Sequence, residues 1–212
     1  MEFSGTGTAA GGKIEGVGTV SGGYYSDLKI DGVCTVEGDL EAESLHINGV
    51  CTCNGNVEAK EFDCDGVLTI NGNLRAGVMD VDGVVTVKGP KIEADRIDCD
   101  GVLSVEGEIS ADIIEANGKL NATEIVGDRI KIKSYWKRGL VSLLFKIGEK
   151  ANLQFSVVDL IEGTTVELRG VRAKSVNGHD VYIRKNCNID RVFASGELSI
   201  DPSSQIGEVA NA

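Results

Sequence analysis

Aromatic residues make up only 5% of this 212-residue chain, and it holds just two prolines and two histidines. A core built round large rings is therefore excluded, whereas a narrow interior filled with Val, Ile, Leu, Ala and Cys fits the composition. Two histidines leave little scope for imidazole acid–base chemistry. No apolar run approaches the roughly 20 residues that cross a bilayer as a helix. Residues 1–12 are rich in Gly, Ser, Thr and Ala and lack the basic region and apolar stretch of a secretory leader, so the expected compartment is the cytoplasm. An excess of positive charge is missing as well: 33 acidic against 21 basic residues give −12, the wrong sign for a nucleic-acid binder. Neither a phosphate-binding Gly-x-x-x-x-Gly-Lys-Ser/Thr loop nor a Gly-x-Ser-x-Gly elbow occurs.

What the chain has in abundance is glycine at constant spacing. Gly16, Gly32, Gly49, Gly66, Gly83, Gly101 and Gly118 are separated by 16, 17, 17, 17, 18 and 17 residues. From the second onward each follows an Asp or Asn, and a second comb, Gly22, Gly38, Gly55, Gly72, Gly89 and Gly107, runs six residues behind the first. A repeat of that length is the mark of a solenoid. Between the combs apolar and polar residues alternate, the two-residue period of a strand, which excludes helix here. In one unit the inward set is Cys34, Val36, Leu40, Ala42, Leu45 and Ile47, and in the next it is Cys51, Cys53, Val57, Ala59, Phe62 and Cys64. These are three short strands per turn, stacked at about 4.8 Å on the turn before. The expected fold is all-β, a single-stranded parallel β-helix of triangular section with about 17 residues per turn. The 18-residue step lies beside Pro90, where a corner absorbs the extra residue. Asx-Gly corners are expected because Asn and Asp bond their own backbone and glycine tolerates positive φ.

The organisation reads as a flexible tail over 1–13, about seven regular turns over 14–133, a basic and aromatic insert over 134–151, and irregular turns over 152–212. Cys34, Cys51, Cys53, Cys64 and Cys99 all fall at inward positions, where a thiol serves as a small apolar filler. A metal reading of Cys51, Cys53 and Cys64 lacks the usual Cys-x-x-Cys knuckle, and no metal or cofactor is expected.

Gly38-Asp39-Leu40-Glu41-Ala42, Gly55-Asn56-Val57-Glu58-Ala59 and Gly72-Asn73-Leu74-Arg75-Ala76 resemble the repeated unit of bactofilins, the polymer-forming bacterial cytoskeletal proteins, and Asp159 to Ile189 resembles the C-terminal part of related proteins from Gram-positive bacteria. The resemblance implies a right-handed β-helix, assembly into filaments without nucleotide, and scaffold roles in cell shape, wall synthesis or motility.

Three surface features are candidates for contact. Outward Val33, Val50, Val67 and Val84, beside Thr35, Thr52, Thr69 and Thr86, form a flat stripe suited to lateral contact, or simply reflect the strand preference of β-branched residues. Asp63, Asp65, Asp80, Asp82, Asp98 and Asp100 form an acidic grid in which rungs repel by roughly 0.9 kcal/mol even at the dielectric of water. It reads as a solvated face, a cation site or a dock for a basic segment. Between Arg129 and Lys150 lie seven basic residues and one acidic. Within that stretch Tyr135, Trp136, Lys137, Arg138, Leu140, Leu144, Phe145 and Lys146 suit either a cover for the solenoid, a protein adaptor or an anionic membrane surface.

The expected function is non-enzymatic: a scaffold that self-assembles end to end, with itself as principal partner. The alternatives are a monomeric β-helix binding module and a hexapeptide-type acyltransferase. Apolar steps of about six, five and six residues depart from the strict six-residue step of the latter.

Overall fold

A computed structural model describes residues 10–134 and 155–211. Among the described residues seventeen strands form one sheet in which every neighbouring pair runs parallel, and they wind as a β-solenoid of about eleven turns without any helix. One coil illustrates the plan. Val50–Cys53 makes the first wall, and Val57–Cys64 bends at Lys60 to make the second and third. Val50, Val57 and Phe62 then lie beside Val67, Leu74 and Met79 of the next coil. Backbone hydrogen bonding thus runs from coil to coil along the axis, and each strand needs both neighbours to satisfy its N–H and C=O groups.

The expected columns are present. Cys34, Cys51, Leu68, Val85, Leu103 and Leu120 stack inside the first wall, and Leu40, Val57, Leu74, Ile92, Ile109 and Ile125 inside the second. Leu45, Phe62, Met79, Ile97, Ile114 and Ile130 line the third, and all are buried. A second column of the second wall stays small throughout: Ala42, Ala59, Ala76, Ala94 and Ala111 are followed in register by Gly127, Gly163 and Gly178, then Ala194. Space there is short on two sides. A Cβ on Gly163 would come 2.8 Å from the carbonyl oxygen of Gly127 in the preceding coil and 3.1 Å from both Ile130 Cδ1 and Val166 Cγ2 of the third wall.

The Asx-Gly corners form, but positive φ is not why they need glycine. Positive φ occurs at Gly16, Gly23, Gly38, Gly170 and Asn186, and not at Gly49 or Gly66. There the coils approach so closely that a Cβ on Gly66 would lie 2.0 Å from the carbonyl oxygen of Gly49. That approach lets Val67 donate its N–H to the same oxygen at 2.8 Å. The extra residue at Pro90 sits in the corner between Val84–Val87 and Lys91–Cys99, and pairing resumes in register with Leu74 beside Ile92.

Asn and Asp side chains lace the other corners. Asn56 and Asn73 each use the Oδ1 of the residue one coil earlier as acceptor for their backbone N–H, from Asp39 at 2.7 Å and Asn56 at 2.9 Å. The coil interrupted between Ser134 and Phe155 is closed by a different device. Ser156, fully buried in the first-wall column, accepts the Leu120 N–H through its hydroxyl at 3.0 Å. It also shares a 2.7 Å hydrogen bond with the Ser134 hydroxyl, which in turn accepts the Ser156 N–H at 3.0 Å.

Close approach and conformational freedom make different demands. Gly83→Ala, whose Cβ would meet the Gly66 carbonyl oxygen at 2.0 Å, should cost about 2 kcal/mol or more. Gly16→Ala, which has φ +88 and open space around it, should cost roughly 1 kcal/mol. Urea unfolding of the two variants measures the difference, and equal midpoints would contradict the steric account of the corners.

Candidate interaction surfaces

The valine and threonine columns lie outward on the first wall, with Val33, Val50, Val67 and Val84 adjacent in register and Thr35, Thr52, Thr69 and Thr86 beside them. Exposure is greatest at the N-terminal rung, 87% at Val17 against 36% at Val67. The stripe stays β-branched through Val102 and then changes character, since Lys119 and Asn121 take the places beyond Val102 and Ser104. What the structure brings together is a ridge confined to the N-terminal coils.

The acidic residues occupy two adjacent columns. His46, Asp63, Asp80, Asp98 and Glu115 follow one another on the third wall, and Asp65, Asp82 and Asp100 stand at the neighbouring corner. The margins of this grid are tied down: His46 Nδ1 lies 3.2 Å from Asp63, and Arg96 lies 3.7 Å from Asp98 and 2.7 Å from Glu115. At the centre, Asp80 and Asp82 are both held above the ordinary carboxylate range. Desolvation is the main cause, followed by the field of neighbouring carboxylates, Asp82 and Asp98 for the first and Asp100 and Asp65 for the second.

Tyr135, Trp136, Lys137, Arg138, Leu140, Leu144, Phe145 and Lys146 lie outside the described residues. Within the described residues the structure reveals a feature that the sequence pattern did not show. The corner column that carries Asp31, Asn48, Asp65, Asp82, Asp100 and Asn117 continues through Lys133, Arg169 and Arg184 to Asp201. Lys133, Arg169, Arg184 and Lys185, with Glu167 and Asp201, line a shallow groove of about 300 Å³. Arg184 Nε lies 3.3 Å from Glu167. Asp201 sits below the usual carboxylate range, chiefly because the Ser203 hydroxyl and N–H donate to it, with Lys185 and Arg184 adding their field. This edge of the prism therefore carries three consecutive Asp rungs, Asp65, Asp82 and Asp100, before Asn117 and three consecutive basic rungs after it, with Asp201 beyond them. The 17-residue comb hides this, since Lys133 pairs with Arg169 across 36 positions and Leu168 with Ile183 across 15.

Two further arrangements bear on chemistry. Ser44 Oγ lies 2.9 Å from His46 Nε2, whose Nδ1 faces Asp63 at 3.2 Å, the order of a nucleophile relay. These three side chains stand on a flat wall whose backbone N–H groups belong to the coil-to-coil ladder. Among the described residues no group of three His, Cys, Asp or Glu side chains converges to hold a metal ion. Burial pushes the thiols of Cys51, Cys64 and Cys99 up to about 12, so at neutral pH they are protonated core filler.

The raised carboxylates carry a sign for stability. A carboxyl whose pKa is higher folded than unfolded binds its proton more tightly in the native state, so stability falls as pH rises through that range. Asp80→Asn with Asp82→Asn should therefore raise the melting temperature by a few degrees at pH 7. The gain should vanish below the ordinary carboxylate range, near pH 3, as thermal melts across pH would register.

No protein-family model matches the chain, and no solved structure matches it. A stretch of 48 residues, 23% of the chain, is 42% identical to the uncharacterized protein YhbE of Bacillus subtilis (strain 168), and the match covers 20% of that protein's length.

Proposed function

We propose that this protein is a non-enzymatic scaffold that assembles end to end into filaments without nucleotide. The observation that supports this reading most directly is an unfinished core at the C-terminal end. Ile200 and Val209 belong to inward columns whose earlier members Ile183 and Val192 are fully buried, yet they are 37% and 45% exposed. The strand Gln205–Asn211 also leaves one side of its backbone without a ladder partner among the described strands. An open strand edge over an uncovered apolar column is a template for another chain.

At the other end of the described residues, Ala10–Ile14 pairs with Val17–Ile30 and has no second ladder partner among the described strands. Stacked end to end, a neighbouring subunit would cover the exposed inward residues Ile200 and Val209. The resemblance of the Gly-Asx-Leu/Val units to bactofilins points the same way.

No described helix is long and apolar enough to cross a membrane. Membrane contact through residues 134–151 is the finer part of the proposal, resting on the mixture of Trp136, Tyr135 and Phe145 with Lys137, Arg138 and Lys146.

Negative-stain microscopy of the purified protein without nucleotide should reveal filaments. Val209→Arg, which sets a charge in the stacked column, should leave isolated particles with an unchanged β circular-dichroism spectrum. Uniform single particles of the unaltered chain would instead favour a monomeric binding module. For the membrane part, sedimentation with vesicles containing anionic lipid should carry the protein into the pellet, and Trp136→Ala with Lys137→Ala and Arg138→Ala should leave it in the supernatant. Loss of sedimentation in the variant, with filaments intact, separates the two claims.

A further inference from the structure

The charge order along the corner column has a symmetry of its own. Asn117 stands at its middle. One rung toward the N-terminus is Asp100 and one rung toward the C-terminus is Lys133. Two rungs out are Asp82 and Arg169, and three rungs out are Asp65 and Arg184. Rungs of a parallel sheet are evenly spaced at about 4.8 Å, so equal numbers of rungs mean equal distances from Asn117. Acid on one side is matched by base on the other at every one of these three steps.

We infer that this edge is a self-complementary docking surface for a second copy of the chain lying antiparallel, with a two-fold axis through Asn117. In that arrangement Asn117 meets its own counterpart, Asp100 meets Lys133 of the partner subunit, Asp82 meets the partner's Arg169, and Asp65 meets the partner's Arg184. The axis makes each pair twice, as a two-fold contact requires. A parallel arrangement in the same register would set acid against acid and base against base, so the order of charges selects orientation as well as partner.

The local chemistry agrees. Asp80 flanks Asp82 in the acidic half, where carboxylates crowd one another, while the groove lined by Lys133, Arg169, Arg184 and Lys185 supplies the opposite field. Arg184 keeps its contact with Glu167, and a guanidinium has donors enough for a further carboxylate. Single exposed ion pairs contribute little, whereas a network in fixed register contributes more and confers specificity. Asn117 adds a centre without charge; its amide donates to Asp100 at 2.9 Å. The contact is lateral, uses neither end of the solenoid and stands independently of end-to-end assembly.

The six native cysteines are buried, which leaves a cysteine placed at an exposed corner as the reactive one. Asn117→Cys should be joined into dimers by a short bismaleimide about tenfold faster than Asn71→Cys, an exposed position at another corner, and 1 M salt should suppress the reaction. Within Asn117→Cys, the set Asp65→Lys, Asp82→Lys, Asp100→Lys and the set Lys133→Glu, Arg169→Glu, Arg184→Glu should each reduce cross-linking about tenfold, since the six charged rungs flanking position 117 become all basic in one variant and all acidic in the other. Mixing the two variant proteins should restore cross-linking as heterodimers. Both must keep the β circular-dichroism spectrum of the parent; if either set unfolds, the single exchanges Asp82→Lys and Arg169→Glu, mixed in the same way, take its place. Equal rates at positions 117 and 71, or no rescue on mixing folded variants, would overturn the inference. The same cross-linking in a Val209→Arg background, where end stacking is removed, keeps its failure distinct from failure of the filament proposal.

Discussion

Everything in this molecule depends on the hydrogen-bonded register between one coil and the next. Because a parallel ladder pairs each residue with one equivalent residue above and one below, a side chain placed once is placed again at every turn, inside or outside. Burial then follows by column: Leu45, Phe62, Met79 and Ile97 share one fate because they share one position. The same constraint makes the structure quasi-one-dimensional. Each coil is stabilised by its neighbours, and no coil closes a core alone.

That constraint also explains what was legible in the amino-acid sequence. The glycine combs, the inward apolar columns, the outward Val and Thr rows and the Asp grid all recur at a nearly fixed interval, so counting along the chain finds them. Asp80 and Asp82 could be assigned to crowded positions from spacing alone. The reason for glycine at the corners was not legible, because contact between Gly66 and the Gly49 carbonyl depends on how closely two coils approach. The basic run was hidden for another reason. Lys133, Arg169 and Arg184 belong to one column only after 135–154 are set aside and the shorter C-terminal coils are counted separately. The Ser44, His46 and Asp63 contact was within reach of the periodicity, since His46 and Asp63 are one coil apart, but its meaning depends on the flat wall around it.

Charge is distributed along the solenoid as unevenly as shape is distributed evenly. Residues 10–118 contain 21 acidic and 7 basic side chains, whereas 119–134 together with 155–211 contain ten of each. A repeat that copied itself faithfully would have no such gradient. The gradient makes the two halves of an otherwise uniform solenoid electrostatically different.

The paired hydroxyls of Ser134 and Ser156 have a wider implication. They close a coil whose two halves are separated by twenty intervening positions, and the columns above and below continue in step. A corner closed in this way acts as a port through which an evolving gene can acquire new sequence without disturbing the lattice of the wall. Diversification in such proteins is thereby channelled to the vertices of the prism, leaving the faces free to retain their repeat.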